Sequence, residues 1–177
     1  MIILVDMDEV IVELEKKIIE LLIKENPEKK DLINIPRTKF KLTNQYPDIE
    51  DKLKEIASRK GLTENLEPVE GSIEALKKIE SLGHKIFICT APLTNYKNSV
   101  LEKYKWIEKN LGIDWTKKII LTKDKTLIKG DILIDDNPSI NGIKNPEWEH
   151  ILFDKPYNKD VIKKRLTWKN YKQVLNI

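Results

Sequence analysis

Residues 2–8 read Ile2-Ile-Leu-Val-Asp-Met-Asp8, an unbroken apolar run that ends in two carboxylates one residue apart. Branched apolar residues in a row, with no polar alternation, describe a strand covered on both faces, and the acids then fall at its carboxyl end. The form recurs downstream. Lys85-Ile-Phe-Ile-Cys89 leads to Thr90, Lys118-Ile-Ile-Leu121 stands shortly before Lys125, Ile132-Leu-Ile134 runs into Asp135-Asp136, and Ile151-Leu-Phe153 makes a fifth run. Helical patterns lie between them. Ser72 opens one as its cap, with Ile73, Leu76, Ile79 and Leu82 facing one way before Gly83; a second stripe, Val100, Leu101, Tyr104, Ile107 and Leu111, ends at Gly112. Alternating strand and helix predicts an α/β fold, a three-layer Rossmann-like parallel sheet whose right-handed crossovers place the strands' carboxyl ends along one edge.

One stretch breaks the alternation. After a helical pattern over 12–25, the chain to Pro68 has no strong strand signal but holds a helix opened by Pro47 and closed by Gly61, with Ile49, Leu53, Ile56 and Ala57 on one side. The reading is a small helical cap at 13–68, inserted after the first strand of a core made of 1–12 and 69–177. The tail from Thr167 to Leu175 reads as a capped last helix that packs Trp168 and Tyr171 on the sheet.

Composition removes several function classes. The chain has 177 residues, 40% hydrophobic and 34% charged, enough apolar material to fold as one main domain. No apolar run reaches membrane-spanning length, and Asp6 interrupts the apolar start, so neither a membrane span nor a signal peptide is expected and the setting is read as cytoplasmic. A single cysteine, Cys89, excludes an internal disulfide framework and a cysteine zinc site. The net charge of +3 comes from intermixed lysines and acids, the signature of solvated helix faces and not of a nucleic-acid footprint. The exposed helix pattern allows a homodimer without requiring one.

Taken singly, Asp6 and Asp8, Thr90, Lys125 and the Asp135-Asp136 pair each have an ordinary explanation as strand-end or loop polarity. Jointly they do not, because an open parallel sheet brings all four positions into the crevice at its carboxyl edge. Two unit charges about 4 Å apart repel by roughly 4 kcal/mol at an effective dielectric near 20, so converging carboxylates require a cation. With only oxygen donors at hand, Mg²⁺ is favoured over Zn²⁺, and Mg²⁺ commonly shares a few carboxylates with a substrate phosphate. Lys125 and the Thr90 hydroxyl then supply phosphate donors. The pattern points to phosphoryl transfer.

These residues, in this order, resemble the four motifs of the haloacid dehalogenase superfamily. Leu66-Glu-Pro-Val-Glu-Gly71, Ile88-Cys-Thr-Ala-Pro92, Glu102-Lys-Tyr-Lys-Trp106, Leu121-Thr-Lys-Asp-Lys-Thr126 and Asp131-Ile-Leu-Ile-Asp-Asp136 further resemble its 5'(3')-deoxyribonucleotidase family. The resemblance implies a Mg²⁺-dependent phosphatase acting on (deoxy)nucleoside 5'- or 3'-monophosphates through an aspartyl-phosphate. Asp6 is then the nucleophile and Asp8 the general acid and base. Asp6, the Asp8 backbone carbonyl and Asp136 hold Mg²⁺, with Asp135 as neighbour. Thr90, the Ala91 amide and Lys125 bind the phosphoryl group. The acid at Asp8 separates the chain from the superfamily's dehalogenases and transport ATPases, and paired acids that come last in the chain separate it from a receiver domain.

Two features depart from the family. Its base pocket is built from aromatic side chains; here Phe40 is kept but Lys41 stands beside it, and Leu14 and Ala57 occupy places where aromatics are expected. Each base stack is worth about 1–3 kcal/mol, so the thinned pocket leaves base specificity open. Glu9 stands where many superfamily members have glycine, its carboxylate either turned from the site or tuning it. The alternatives are a phosphatase for a sugar phosphate or a nucleic-acid 3'-phosphate, and a phosphate-binding protein without turnover.

Overall fold

The apolar runs form β1 (Ile2–Val5), β2 (Lys85–Thr90), β3 (Ile119–Leu121), β4 (Ile132–Asp135) and β5 (Glu149–Phe153), joined by a two-residue β6 (Arg165–Leu166) that carries no sequence pattern of its own. In the computed structural model, which describes residues 1–93 and 96–177, they make one sheet in the order β3-β2-β1-β4-β5-β6 with every pairing parallel. β1 lies between β2 and β4, with Val5 opposite Ile88 on one side and Ile134 on the other. The strand order therefore reverses at β1, and such a switch point opens a crevice at the carboxyl edge.

Because side chains alternate along a strand, the central strands divide their apolar residues between two faces. Ile3, Val5, Ile86, Ile88, Ile132 and Ile134 pack into the large core with α4 (Ser72–Ser81) and α5 (Tyr96–Leu111). Leu4, Cys89 and Leu133 meet Trp148 on the opposite face, with Phe87, Ile120, Ile128 and Ile140 around them. Burial of the Cys89 thiol raises its pKa to about 12, so it is inert at neutral pH. Among the described residues, no helix is long and apolar enough to cross a membrane.

Between β1 and α4 the described elements are all helical: α1 (Leu14–Glu25), α2 (Leu42–Gln45), α3 (Glu50–Ala57) and 3-10 turns at Pro27–Asn34, Pro47–Ile49 and Thr63–Asn65. Pro47 starts a 3-10 turn that feeds α3, which buries Leu53 and Ile56.

Three local expectations need correction. Ser72 does not cap α4; Gly71 holds the cap position at φ +79°, and the Ser72 hydroxyl donates to the Ile11 carbonyl. The buried face of α5 matches the expected stripe only in part: Ile107 and Leu111 are buried, but Leu101 is exposed and Glu102, Lys103 and Trp106 are buried instead. The cause is docking against 61–66, where Glu102 accepts from the Gly61 and Thr63 amides and the Trp106 indole donates to Leu66 O. After the single-turn α6 (Ile113–Thr116), the last helix, α7 (Tyr171–Leu175), is shorter than expected and follows Asn170. Trp168 precedes it, packing on Phe153 of β5 with its indole N–H on Val10 O.

Candidate active site

The switch point sets the floor of the site. Asp6 leaves β1 with its amide on Ile134 O (2.9 Å), which locks it beside the end of β4. The chain then turns sharply: the Ile11 and Val12 amides both donate to Met7 O, and Glu9 adopts φ +62°. A non-glycine residue in that region is strained unless its surroundings hold it. They do: the Glu9 carboxylate accepts from the Glu15 amide (2.7 Å) in the first turn of α1 and from Lys155 Nζ (3.0 Å). Glu9 thus ties β1 to α1 and to the segment after β5, although burial outweighs these partners and raises its pKa.

At the end of β4 the two adjacent acids take different roles. Asp135 Oδ2 faces Lys125 Nζ at 2.5 Å and its Oδ1 accepts from the Asn137 amide at 2.9 Å. Lys125 also reaches Asp6 Oδ1 at 2.7 Å. Asp136 turns the other way, its Oδ2 accepting from Tyr157 Oη at 2.5 Å and its backbone carbonyl from Asn158. Asp6, Asp135 and Asp136 each place one carboxylate oxygen within 4.8 Å of the others.

Charge in this cluster is unbalanced, because three carboxylates gather about one ammonium, that of Lys125, which pairs with Asp6 and Asp135. Burial, reinforced by the Asp6 charge, raises Asp135 to about 6. Burial and the neighbouring Asp135 raise Asp136 well above the ordinary carboxylate range. For Lys125, burial pushes the pKa down, but the Asp6 and Asp135 charges outweigh it and the net shift is upward. The cluster is a buried oxygen-donor set short of positive charge, which suits a hard divalent cation such as Mg²⁺.

Asp8 stands apart from this cluster, with its carboxylate gripped at 2.9 and 2.8 Å by Lys103 Nζ. The same ammonium donates to Thr90 Oγ1 at 2.9 Å. Since ammonium can only donate, it occupies a Thr90 lone pair and leaves the hydroxyl proton free to point elsewhere. Lys103 is 1% exposed and was not foreseen from the sequence. A signal existed: Lys103 lies three and four residues before Trp106 and Ile107, on the face that α5 buries, and a lysine on a buried face needs a charged partner.

These groups floor a cavity of about 650 Å³. Asp6, Asp8, Lys125, Asp135 and Asp136 line its base with Ala91 beside them, while Thr90 is fully buried beneath. Leu14, Ile18, Phe40, Lys41, Leu42, Leu53 and Ala57, from the helical stretch between β1 and α4, form its wall. Phe40 is the aromatic among these wall residues, its ring edge-on to Tyr157 at 5.9 Å. Beside Phe40, Arg37 forks onto the Glu15 carboxylate, whose burial raises its pKa to about 7. Tyr157, Lys155 and Lys103 are thus the site neighbours that sequence reasoning missed.

Comparison with known proteins agrees with this geometry. The family model described as 5' nucleotidase, deoxy (pyrimidine), cytosolic type C protein matches residues 1–177. A 5'(3')-deoxyribonucleotidase homologue from Bordetella pertussis is 40% identical, covering 99% of this chain and 95% of that one. The cytosolic-type human 5'(3')-deoxyribonucleotidase is 35% identical, covering 98% and 92%. Among solved structures, a HAD-hydrolase of Bacillus subtilis bound to magnesium superposes with a TM-score of 0.59 at 14% identity, covering 99% of this chain and 98% of that one, a likeness of fold.

Proposed function

Because the chain belongs to the 5'(3')-deoxyribonucleotidase family, and so to the phosphoric monoester hydrolases, we propose that it hydrolyses (deoxy)nucleoside 5'- or 3'-monophosphates through an aspartyl-phosphate on Asp6 with Mg²⁺. The observation that carries this reading is the convergence of Asp6, Lys125, Asp135 and Asp136 on the floor of a cavity large enough for a nucleotide.

In this reading the insertion at 13–68 serves as the cap of a core built from 1–12 and 69–177. Asp6 attacks phosphorus and the phosphorus–oxygen bond to the nucleoside breaks, with Asp8 delivering a proton to the departing alkoxide. Asp8 then takes a proton from water as that water attacks the phospho-aspartate, releasing phosphate and regenerating Asp6. Lys103 stabilises the Asp8 carboxylate between the two half-reactions. Lys125, the Thr90 hydroxyl and the Ala91 amide bind the phosphoryl oxygens.

Asp6 and Asp136 would hold Mg²⁺ directly, since both Asp135 oxygens already have protein partners. Bound there, Mg²⁺ would offset charge on the phosphoryl oxygens. A wall that offers one aromatic, Phe40, among aliphatics and Lys41 stacks a base with little discrimination, so a broad base range is expected. The inert, buried Cys89 is compatible with the cytoplasmic setting proposed for the chain.

The test is phosphate release from a panel of 5' and 3' nucleoside monophosphates, sugar phosphates and a 3'-phosphorylated oligonucleotide, with Mg²⁺ or EDTA. Mg²⁺-dependent turnover that favours the nucleotides is expected. A sugar-phosphate preference would transfer the substrate assignment to that class, and no turnover of any ester by folded protein would overturn the reading.

A second expectation follows from the raised acid at Asp135. Its folded pKa, about 6, lies above the ordinary 3.8, so the metal-free fold binds more protons than the unfolded chain between those values. Stability of the metal-free protein therefore falls as pH rises through that window and stays low above it. Mg²⁺ should raise Tm more at pH 7.5 than at pH 5. At about a hundredfold excess over Kd the gain is about 2.7 kcal/mol, roughly 5–10 °C for a chain of this size. Equal Mg²⁺ shifts at both pH values in a thermal melt would contradict it.

A further inference from the structure

The acid assigned to Mg²⁺ is held by a residue that no sequence motif of the site contains. Tyr157 lies in the 3-10 turn Pro156–Asn158, directly after β5, and its hydroxyl donates to Asp136 Oδ2 at 2.5 Å. Both side chains are buried, so water does not compete for this bond. The next residue, Asn158, is fully buried and its Nδ2 bridges the Asp136 and Phe153 carbonyls. The turn therefore holds Asp136 by main chain and side chain together. Among the described residues, no protein donor reaches the other carboxylate oxygen, Oδ1, and Asp136 lines the cavity.

The Tyr157 ring is itself held by the insertion. The Arg37 guanidinium lies 5.1 Å from the ring centroid, and Phe40 meets it edge-on at 5.9 Å. Arg37 is fixed in turn by its fork onto Glu15 and by bonds to the Lys39 and Phe40 carbonyls. A continuous chain of contacts thus runs from the cavity wall at Phe40, through the tyrosine ring, to the carboxylate on the floor.

Resting on the metal-site reading above, we infer that Tyr157 is a positioning residue. It fixes the Asp136 carboxylate so that its free oxygen faces the cation, and the insertion clamps the ring that does so. Partners that orient a metal ligand from outside typically change metal affinity 10–100-fold when removed. Tyr157→Phe is the informative variant, because it keeps the ring, its burial and its Arg37 and Phe40 contacts while deleting only the hydroxyl.

The experiment is calorimetric titration of Mg²⁺ into wild type, Tyr157→Phe and Asp136→Asn without substrate, followed by Mg²⁺ activation of phosphate release from a nucleoside monophosphate. Tyr157→Phe is expected to bind Mg²⁺ at least about tenfold more weakly, with activity recovered at raised Mg²⁺ and KM at saturating Mg²⁺ within about twofold of wild type. A loss that raised Mg²⁺ does not recover would mark a merely structural role and overturn the inference. So would wild-type Mg²⁺ affinity in Tyr157→Phe alongside lost affinity in Asp136→Asn, which leaves the metal-site reading standing. Absent binding by wild type, or unchanged affinity in Asp136→Asn, would overturn the metal-site reading and the inference with it.

Discussion

Asp6→Asn is expected to lower Mg²⁺-dependent phosphate release at least about a thousandfold, equivalent to some 4 kcal/mol of transition-state stabilisation, because the amide is a far poorer nucleophile than the carboxylate. The exchange is nearly isosteric and removes one of the two acids paired with the Lys125 ammonium, with Asp136 crowded beside them. The metal-free variant should therefore melt no lower than wild type, which separates lost chemistry from lost fold. Activity within about tenfold of wild type, in protein of unchanged melting temperature, would exclude Asp6 as the attacking group.

Lys103→Met should lower kcat about a hundredfold, roughly 2.7 kcal/mol, while KM stays near the wild-type value. The variant keeps much of the side-chain volume but deletes the donor shared by Asp8 and Thr90. Asp8 is then free to rotate away from the leaving group, and the Thr90 hydroxyl loses the partner that orients it. Asp8 is 23% exposed, so water takes up part of the lost pairing and the stability cost should stay near about 1–3 kcal/mol, below that of a fully enclosed pair. Unchanged kcat would show that Asp8 needs no cationic support. A rise in KM alone would place Lys103 in substrate binding.

The sheet was legible because its signals are local. Ile2–Val5 and Ile132–Ile134 are apolar at every position, and only a strand covered on both faces accommodates that pattern in so short a run. Parallel pairing then follows from the helical spacing between strands, and the placing of Asp6, Thr90 and Asp135 at adjacent strand ends follows from parallel pairing. The faces of the helices were less legible. In α5 the apolar stripe pointed to Leu101, yet Glu102 turns inward onto the Gly61 and Thr63 amides and Lys103 onto Asp8, partners that periodicity cannot show. The two-residue β6 and the five-residue α7 are too short for any period to register.

From the chain alone one could read the parallel α/β frame, the family resemblance and the placing of Asp6, Thr90 and Asp135 at strand ends, because each of these follows from neighbours along the chain. Which partner each charge meets was set by packing. Asp8 pairs with a lysine 95 residues away, Glu9 with one 146 away, and Asp136 with a tyrosine 21 away. Those choices depend on how helices rotate and loops pack after the strands have aligned, and a buried charge takes the partner that packing delivers to it.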